Sequence, residues 1–521
     1  MSDHEPTQTM EPPQRAALQR SPHHAVRPDR TPEPVMEHDL LSDFFDRPEI
    51  ASSVRAVPVS QQTSGPLPLP VSAVTVAQHA APAPPPRQPV TLLDCGLPLT
   101  LVGDLVLKVL YVQGTAIGQD IANQIRLAFP IVDESLRFLK DQRLIEVAGG
   151  DLVGRISYRF SLTELGRIRA REVFDQCRYV GPAPVPVEQY VAQCRRQAVA
   201  GIPCTPETLR QAFQGFVVRD SVLSEIGPAV CSGRSIFIYG PPGNGKTVIA
   251  KGLGRFLNQF GGEIYVPYSL LVENSIVTVF DPVLHQTTDD AELTRRAAAP
   301  KWSTRDAGNS LANDSPADRR WRRIRRPVVI TGGELTLDML ELQHHDPGNF
   351  YTAPLHIKAN GGVFLIDDFG RQLASPRELL NRWIVPLEER VDYLTLVTGR
   401  KFSLPFEQLI VFSTNLDPKD LVDDAFLRRI RHKIRIDPPS RDAYTQIFQL
   451  ACRERGFDFS SAAVDFLYAE YYDRGRAPRS SDPRDLHELA HSICGFEGRP
   501  VAWSQGLVAE AARRLFHEVQ E

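Results

Sequence analysis

The chain has 521 residues, of which 42% are hydrophobic, and its formal net charge is −4 at pH 7. This length is enough for two to four folded units, and so small a charge gives no whole-chain argument for nucleic-acid binding. No apolar stretch is long enough to span a bilayer, the N-terminus MSDHEPTQTM has no hydrophobic targeting core, and the seven cysteines are scattered singly. These features exclude a secreted disulfide scaffold and predict a cytoplasmic protein.

The N-terminal 92 residues are predicted to be a disordered, proline-rich tail. Residues 1–90 contain 17 of the 43 prolines and only one glycine, with runs such as GPLPLP and APAPPPRQP. Such runs favour extended conformations and cannot form a packed core. We therefore expect the first folded unit to begin at residue 93.

Residues 93–180 have the pattern of a small α+β domain. Helices are predicted over Leu99–Tyr111, from Thr115, over Val132–Arg143 and over Thr163–Asp175, with a β-ribbon formed by Ile145–Val147 and Ile156–Leu162. This order resembles a winged helix. Because acidic and basic side chains balance on the third helix, we favour docking to a protein, with DNA binding as the alternative. A proline-rich linker is expected over residues 181–202.

Residues 240–247, GPPGNGKT, match the phosphate-binding pattern G-x-x-x-x-G-K-[ST] at every fixed position. The loop follows an apolar strand, and Val248 opens a helix, so backbone N–H groups can surround a polyphosphate. We expect Lys246 to reach the β- and γ-phosphates and Thr247 to bind Mg²⁺. The predicted nucleotide-binding residues here are Gly240, Pro241, Pro242, Gly243, Asn244, Gly245, Lys246, Thr247 and Val248. Val217 and Val218 either cover the base or belong to ordinary packing.

A polar insertion is predicted over about residues 286–326, and its composition is typical of a mobile loop. It ends in the basic segment RRWRRIRR, residues 319–326. One interpretation is a patch for nucleic acid, acidic lipid or an acidic partner, with Trp321 able to stack. The other is a solvated or inter-subunit charged surface, and the sequence does not distinguish them.

Polar residues follow two further apolar strands. The run Gly362–Ile366 ends in Asp367 and Asp368, which we predict to be the Mg²⁺ carboxylate and the base that orients the attacking water. The next apolar strand, Leu409–Thr414, ends at Asn415, which is placed to hold that water or sense the γ-phosphate. Further on lie the paired arginines, Arg428 and Arg429, at a predicted helix end, and Arg484 in the first turn of a later helix.

The order and spacing of these motifs resemble an AAA+ ATPase module over roughly residues 203–515. The resemblance implies an α/β nucleotide-binding domain at 203–438, a helical lid at 439–521, and ATP and Mg²⁺ as ligands. It also implies a homo-oligomeric ring, a hexamer. Asn415 would then be the first sensor, Arg428 or Arg429 the arginine finger supplied to a neighbouring subunit, and Arg484 the second sensor. The family usually has Glu where this chain has Asp368, which implies slow turnover.

Three longer stretches resemble narrower groups. ANGGVFLIDDFGRQ, with the long segment before it, is similar to the AAA+ branch that carries a helical insert ahead of the second acidic strand. FSTNLDP and DDAFLRRI resemble a bacterial group of chaperone-like ATPases linked to pilus assembly. We therefore predict an ATP-hydrolysing remodelling or assembly ATPase that acts on a protein client, which the sequence does not identify. The alternatives are an ATP-dependent DNA-binding regulator and a nucleotide-dependent scaffold that does not hydrolyse ATP.

Overall fold

The computed structural model describes residues 83–149, 154–288, 317–421, 427–500 and 502–516. In this part of the chain, no helix is both long enough and apolar enough to cross a membrane. The predicted disorder of residues 1–82 and the predicted mobility of residues 289–316 lie outside the described residues.

The described residues contain both helices and strands. The helices are α1 (Leu92–Cys95), α2 (Leu99–Gln113), α3 (Gly118–Ile125), α4 (Phe129–Asp141), α5 (Glu164–Gln176), α6 (Val187–Arg196), α7 (Pro206–Ala212), α8 (Asp220–Ser232), α9 (Lys246–Phe260), α10 (Leu355–Lys358), α11 (Pro376–Arg382), α12 (Ile384–Glu389), α13 (Pro418–Leu421), α14 (Arg441–Arg455), α15 (Ser461–Leu467), α16 (Asp482–Glu497) and α17 (Gln505–Leu515). The strands are β1 (Thr115–Ile117), β2 (Ile145–Gly149), β3 (Arg159–Leu162), β4 (Val185–Pro186), β5 (Ile236–Tyr239), β6 (Ile264–Pro267), β7 (Ser269–Val272), β8 (Ser275–Thr278), β9 (Trp321–Ile324), β10 (Val328–Thr331), β11 (Gln343–His345), β12 (Phe350–Thr352), β13 (Val363–Ile366), β14 (Val391–Thr395), β15 (Lys401–Pro405), β16 (Leu409–Thr414) and β17 (His432–Arg435).

The N-terminal segment, residues 92–176, contains the predicted helices and a hairpin whose second strand begins at Arg159 and not at the predicted Ile156, because Arg155–Ser157 forms a 3-10 turn. Helices α2 to α5 pack on an antiparallel sheet of order β1-β3-β2. The second predicted helix begins later than expected, because Thr115–Ile117 forms β1 and pairs with β3. Helix α4 begins at Phe129, one turn before the predicted start. Leu105, Val109 and Leu136 lie in the shared buried core.

The predicted linker, residues 181–202, is part of the folded structure. Val185 and Pro186 form β4, which pairs in parallel with β7 in a second sheet of order β11-β12-β8-β7-β4. Helix α6 follows, and its Tyr190 and Cys194 are buried in the core of that sheet. The linker prediction is wrong because apolar side chains interspersed among its prolines bury against distant strands, a pairing that composition alone does not reveal.

The predicted tail boundary at residue 92 is also too late. The carbonyl oxygen of Pro86 accepts a hydrogen bond of 2.8 Å from the Asp318 amide, and that of Pro84 accepts one of 3.2 Å from Gln193 Nε2. Proline lacks an N–H donor but keeps its carbonyl acceptor. An extended proline-rich run can therefore be held along a surface, as residues 83–90 are here.

The central sheet has five parallel strands in the order β10-β13-β16-β5-β17. Strands β13 and β16 are buried along their whole length, which explains their continuous apolar sequences VFLI and LIVFST. Helices α7, α8 and α9 cover one face, and α11 and α12 cover the other. Between β10 and β13, where a helical insert was expected, the chain forms the hairpin β11-β12 and the single turn α10. Helices α14 to α17 form a separate buried core after β17.

The basic segment 319–326 is not a solvent-facing patch as a whole. The Arg320 side chain is only 1% exposed and pairs with Asp318, with Nη2 to Oδ2 at 2.8 Å. Arg320 Nη1 also donates to the carbonyl oxygens of Cys95 at 3.0 Å and Pro184 at 3.2 Å. This guanidinium therefore joins α1, β4 and β9. Both surface interpretations are wrong for Arg320, because its charge is satisfied inside the protein.

Trp321 and Arg326 are buried as well. The Trp321 ring stacks on Tyr190 at a centroid distance of 6.4 Å. Arg326 donates to the carbonyl oxygens of Gly361 at 2.6 Å, Gln197 at 2.9 Å and Gly261 at 2.9 Å, and burial lowers its pKa to about 10. Neither residue is available to a nucleic acid or a lipid, and the segment instead forms β9, which pairs with β6.

Replacing Arg320 should destabilise the protein strongly. Arg320→Ala leaves the buried Asp318 carboxylate without its partner, and breaking a buried ion pair in this way costs about 3–5 kcal/mol. We expect a lower thermal unfolding midpoint by calorimetry and faster proteolysis between α1 and β4. Arg319→Ala is the control, because among the described residues this half-buried side chain bonds only the exposed Asn123, and it should cost about 1 kcal/mol or less. Equal midpoints for Arg320→Ala and the wild type would contradict the assignment.

Candidate functional site

A glycine-rich loop connects β5 to α9 at the carboxyl edge of the central sheet. Gly240, Gly243 and Gly245 have φ angles of 138°, 78° and 82°, in the region that favours glycine. A Cβ on Gly240 would lie 2.2 Å from the Ile436 carbonyl oxygen, and one on Gly243 would lie 2.7 Å from Ser481 Oγ. The two glycines are therefore required by close approach as well as by backbone conformation.

Lys246 is buried at the start of α9, and its ammonium group contacts oxygen atoms. Nζ donates to the carbonyl oxygens of Gly240 and Pro241, both at 3.0 Å, and to Asn415 Oδ1 at 2.6 Å. Burial lowers the pKa of Lys246, while the charges of Asp367 and Asp368 oppose that shift. A cation held among neutral acceptors at the mouth of a glycine-rich loop suits an anionic ligand.

The acid pair lies directly opposite this lysine. Thr247 Oγ1 donates to Asp367 Oδ2 at 2.7 Å, which joins the two residues predicted to bind Mg²⁺. Asn415 Nδ2 donates to Asp368 Oδ1 at 3.0 Å, so one amide connects Lys246 to Asp368. The exposed Asp368 has a φ of 48°, an uncommon conformation in which Asp and Asn are among the better tolerated residues. The structure thus brings together all five of these sequence-predicted residues.

These residues line a cleft of about 800 Å³ between the central sheet and the C-terminal helices. One end is polar and contains the loop and the acid pair. The other end is largely apolar, with Val218 and Val222 on the sheet side and Ile447 and Leu450 from α14 on the helical side. Val217 also lines it, so Val217 and Val218 are placed to contact a ligand. The size and polarity match a small-molecule site with an apolar body and a charged end.

The C-terminal helices touch the loop directly. The Ser481 amide donates to the Gly243 carbonyl oxygen at 2.8 Å, and the Ser480 amide donates to Asn244 Oδ1 at 3.2 Å. Arg484 lines the cleft from the first turn of α16, with its side chain 69% exposed and 3.5 Å from Asp485. Arg484 is therefore at the predicted place, and the two serine contacts are additional to the prediction.

The paired arginines lie apart from this cleft. Neither Arg428 nor Arg429 is among its lining residues. Arg429 Nε donates to Glu388 Oε1 at 2.6 Å, whereas Arg428 is exposed and makes no hydrogen bond or ion pair with another described residue. The predicted helix that ends at these arginines falls partly on residues 422–426, outside the described residues. The structure does not bring the pair to the cleft of the same chain.

Arg371 is a cleft residue that the sequence analysis missed. It follows Asp367 by four positions, in the run DDFGR, and its exposed side chain lines the cleft beside the acid pair. The available signal was its proximity to two carboxylates at the end of a buried strand, a place where parallel sheets gather ligand-binding groups.

The donor set fits a magnesium nucleotide. The described residues contain no cluster of three or more His, Cys, Asp or Glu side chains that would hold a metal alone. Mg²⁺ is usually bound in proteins by one or two carboxylates together with water and substrate phosphates. Thr247 and Asp367 supply such a partial set next to Lys246, so a phosphate-bound Mg²⁺ fits where a dedicated metal cage does not.

Comparisons with known proteins give limited similarity. Residues 440–514 match a family model described as a domain of unknown function, DUF8689. No curated protein matches significantly. Similar solved structures include the Thermotoga maritima RuvB Holliday junction branch migration motor (13% identity, TM-score 0.31, covering 58% of this chain and 70% of that chain), NtrX from Brucella abortus (14%, 0.32, 60% and 55%) and the FIGL-1 AAA domain in complex with ADP (16%, 0.27, 61% and 84%).

Identities and TM-scores this low do not transfer an activity from those proteins to this chain. The type of core follows instead from the molecule itself, through the parallel sheet, the glycine-rich loop after β5 and the acid pair after β13, with β16 between these two strands. These features define a P-loop α/β core with a candidate nucleotide-binding cleft.

Lys246→Ala should abolish tight nucleotide binding and preserve the fold. The side chain makes polar contacts at the loop and supplies no packing to the apolar core, and the loss of a charged hydrogen bond weakens binding by about tenfold or more. Titration with fluorescent ADP and circular dichroism measure the two properties. Lys401→Ala, at an exposed site on β15, is the control. Wild-type affinity in Lys246→Ala would refute the phosphate-loop assignment.

Proposed function

We propose that the protein is an ATPase that hydrolyses ATP to ADP and phosphate. The supporting observation is the continuous set of contacts from Lys246 through Asn415 to Asp368, beside the Thr247–Asp367 pair. A phosphate lysine, a metal pair and a candidate base are thus connected through one amide. ATP is the proposed nucleotide because of the resemblance to AAA+ modules, and the apolar end of the cleft suits a flat base.

Each residue then has a distinct task. Lys246 and the loop amides would bind the phosphates, and Thr247 and Asp367 would hold Mg²⁺, which would supply positive charge to neutralise the transferring phosphoryl group. Asp368 orients and deprotonates the attacking water. Asn415 fixes the Asp368 carboxylate through its Nδ2–H group and keeps Lys246 in place through its Oδ1. Asp368 is shorter than the usual Glu, which implies slow turnover. A chain with no turnover at all would be the nucleotide-dependent scaffold, the alternative to an ATPase.

We further propose that the active form is a homo-oligomer, a ring such as a hexamer, in which Arg428 serves the neighbouring subunit. Arg428 is exposed and unpaired among the described residues, whereas the Arg429 guanidinium is engaged by Glu388 in its own subunit. A guanidinium that stabilises a phosphoryl group of a neighbouring subunit must not be held by an ion pair on the surface of its own subunit. This difference favours Arg428 over Arg429, a choice that the sequence left open.

We propose a protein as the client and the N-terminal segment as its docking module, with a winged-helix-like fold. On α4, Asp133 pairs with Arg137 at 2.7 Å and with Arg155 at 2.9 Å, so these charges are satisfied internally. A helix that binds phosphates should present unpaired basic side chains. The buried Arg320 and Arg326 remove two further cations from any surface for DNA. The link to pilus or secretion assembly rests on sequence resemblance alone.

Asp367→Asn and Asp368→Asn should affect different steps. Asp367→Asn removes the carboxylate next to Thr247 and should weaken Mg²⁺-dependent ATP binding. Asp368→Asn should bind ATP normally and hydrolyse it roughly a hundredfold more slowly, because the base is lost while Asn tolerates the same backbone conformation. Calorimetric titration and phosphate release measure the two steps. Asp420→Asn, on an exposed turn, is the control, and normal hydrolysis by Asp368→Asn would exclude Asp368 as the base.

Arg428→Ala should lose ATP hydrolysis, and mixing it with a second inactive variant should restore part of that activity. Mixing it with Lys246→Ala creates interfaces in which an intact cleft meets an intact Arg428, and the arginine effect in related systems is about 10³-fold or more. Phosphate release by the mixture should therefore exceed that of either parent. Arg429→Ala serves as the matched control and should retain more activity. Specific activity that stays constant on dilution to a verified monomer would refute the shared site.

A further inference from the structure

Arg371 is an arginine of the cleft whose charge has no partner among the described residues. Three arginines line the cleft. Arg219 lies 3.6 Å from Asp437, and Arg484 lies 3.5 Å from Asp485. The side chain of Arg371 makes no hydrogen bond or ion pair with any other described residue, although it is close in sequence to two carboxylates. An unpaired guanidinium inside a ligand cleft is available to the ligand.

The backbone that carries Arg371 is held firmly. The Arg371 amide donates to the Asp368 carbonyl oxygen at 3.0 Å, and Gln372 Nε2 donates to the Asp367 carbonyl oxygen at 2.9 Å. The intervening Phe369 is fully buried against the rings of Phe237 and Phe412. The turn therefore fixes where the side chain starts, three residues after Asp368, and leaves the guanidinium free to reorient.

The position of Arg371 next to Asp367 and Asp368 indicates which part of the ligand it would contact. Asp368 is the residue proposed to hold the water that attacks the γ-phosphoryl group, so the turn that carries Arg371 lies on the γ side of the cleft. A planar guanidinium presents two parallel N–H groups that match two oxygens of one phosphoryl group. A carboxylate partner within the protein would block this role, and the described residues supply none.

We propose that Arg371 binds the γ-phosphate of the nucleotide in its own subunit and so distinguishes a nucleoside triphosphate from a diphosphate. This role rests on the proposed function of the cleft. It differs from the role of Lys246, whose loss should weaken the binding of both nucleotides. It also differs from that of Arg428, which lies away from the cleft of its own subunit and acts, as proposed, on the neighbour.

The test compares affinities for ATPγS and ADP, each with Mg²⁺, in the full-length protein. Arg371→Ala should raise the Kd for ATPγS by about tenfold or more, the loss expected for one charged hydrogen bond, and leave the Kd for ADP unchanged. Arg371→Lys should fall between it and the wild type, because the charge remains but the planar fork is lost. Arg377→Ala, at an exposed site on α11, is the matched control and should bind both nucleotides as the wild type does.

Unchanged ADP affinity in Arg371→Ala also shows that the cleft is still folded. An equal loss of affinity for both nucleotides, or no loss for either, would overturn the proposal. Hydrolysis regained on mixing Arg371→Ala with Lys246→Ala would show that Arg371 serves the neighbouring subunit, which also overturns it. Failure of the proposed function would appear in the wild-type chain, as no binding of either nucleotide, whereas failure of the Arg371 role alone would appear only in the variant.

Discussion

Parallel strands end at the same edge of their sheet, and the cleft of this protein depends on that constraint. Strand β16 lies between β5 and β13, with Thr414 beside Tyr239 and Phe412 beside Ile366. The residue that follows β16, Asn415, is therefore flanked by the glycine-rich loop on one side and the acid pair on the other. An amide is the side chain that suits this middle position, because it accepts from the lysine and donates to the carboxylate at the same time.

The C-terminal helices are joined to the same loop by a buried polar chain. Ser480 and Ser481 donate to the loop, and the next residue, Asp482, accepts from the Tyr472 hydroxyl at 2.9 Å. Tyr472 in turn bonds the Tyr444 hydroxyl on α14, which lines the apolar end of the cleft. Burial raises the pKa of Asp482. The two helical walls of the cleft are thus tied to each other and to the loop.

The site was more predictable from the sequence than its surroundings. Lys246 and Asp367 lie in short motifs whose residues are adjacent in sequence. A buried parallel strand is recognisable in the sequence as an unbroken apolar run. Arg320 is the opposite case, because its acceptors come from residues up to 225 positions away and no local pattern indicates them. Val185 was assigned to a linker for the same reason, because its partner strand β7 is distant in sequence. Arg371 was missed because it lies outside the recognised motifs. Its position in the cleft and its lack of a partner among the described residues are visible only in the structure.

The buried guanidinium of Arg320 also fixes the N-terminal segment to the rest of the chain. It bonds Cys95 at the end of α1 and Pro184 beside β4, so the start of the N-terminal segment and the chain that follows the segment are held by one side chain next to β9. Arg326 similarly bonds Gly261 after α9 and Gly361 before β13. The N-terminal segment therefore belongs with the α/β core, to which buried polar contacts fix it. Under the proposed function, a protein client docked on the N-terminal segment would therefore be held beside the α/β core of the same chain.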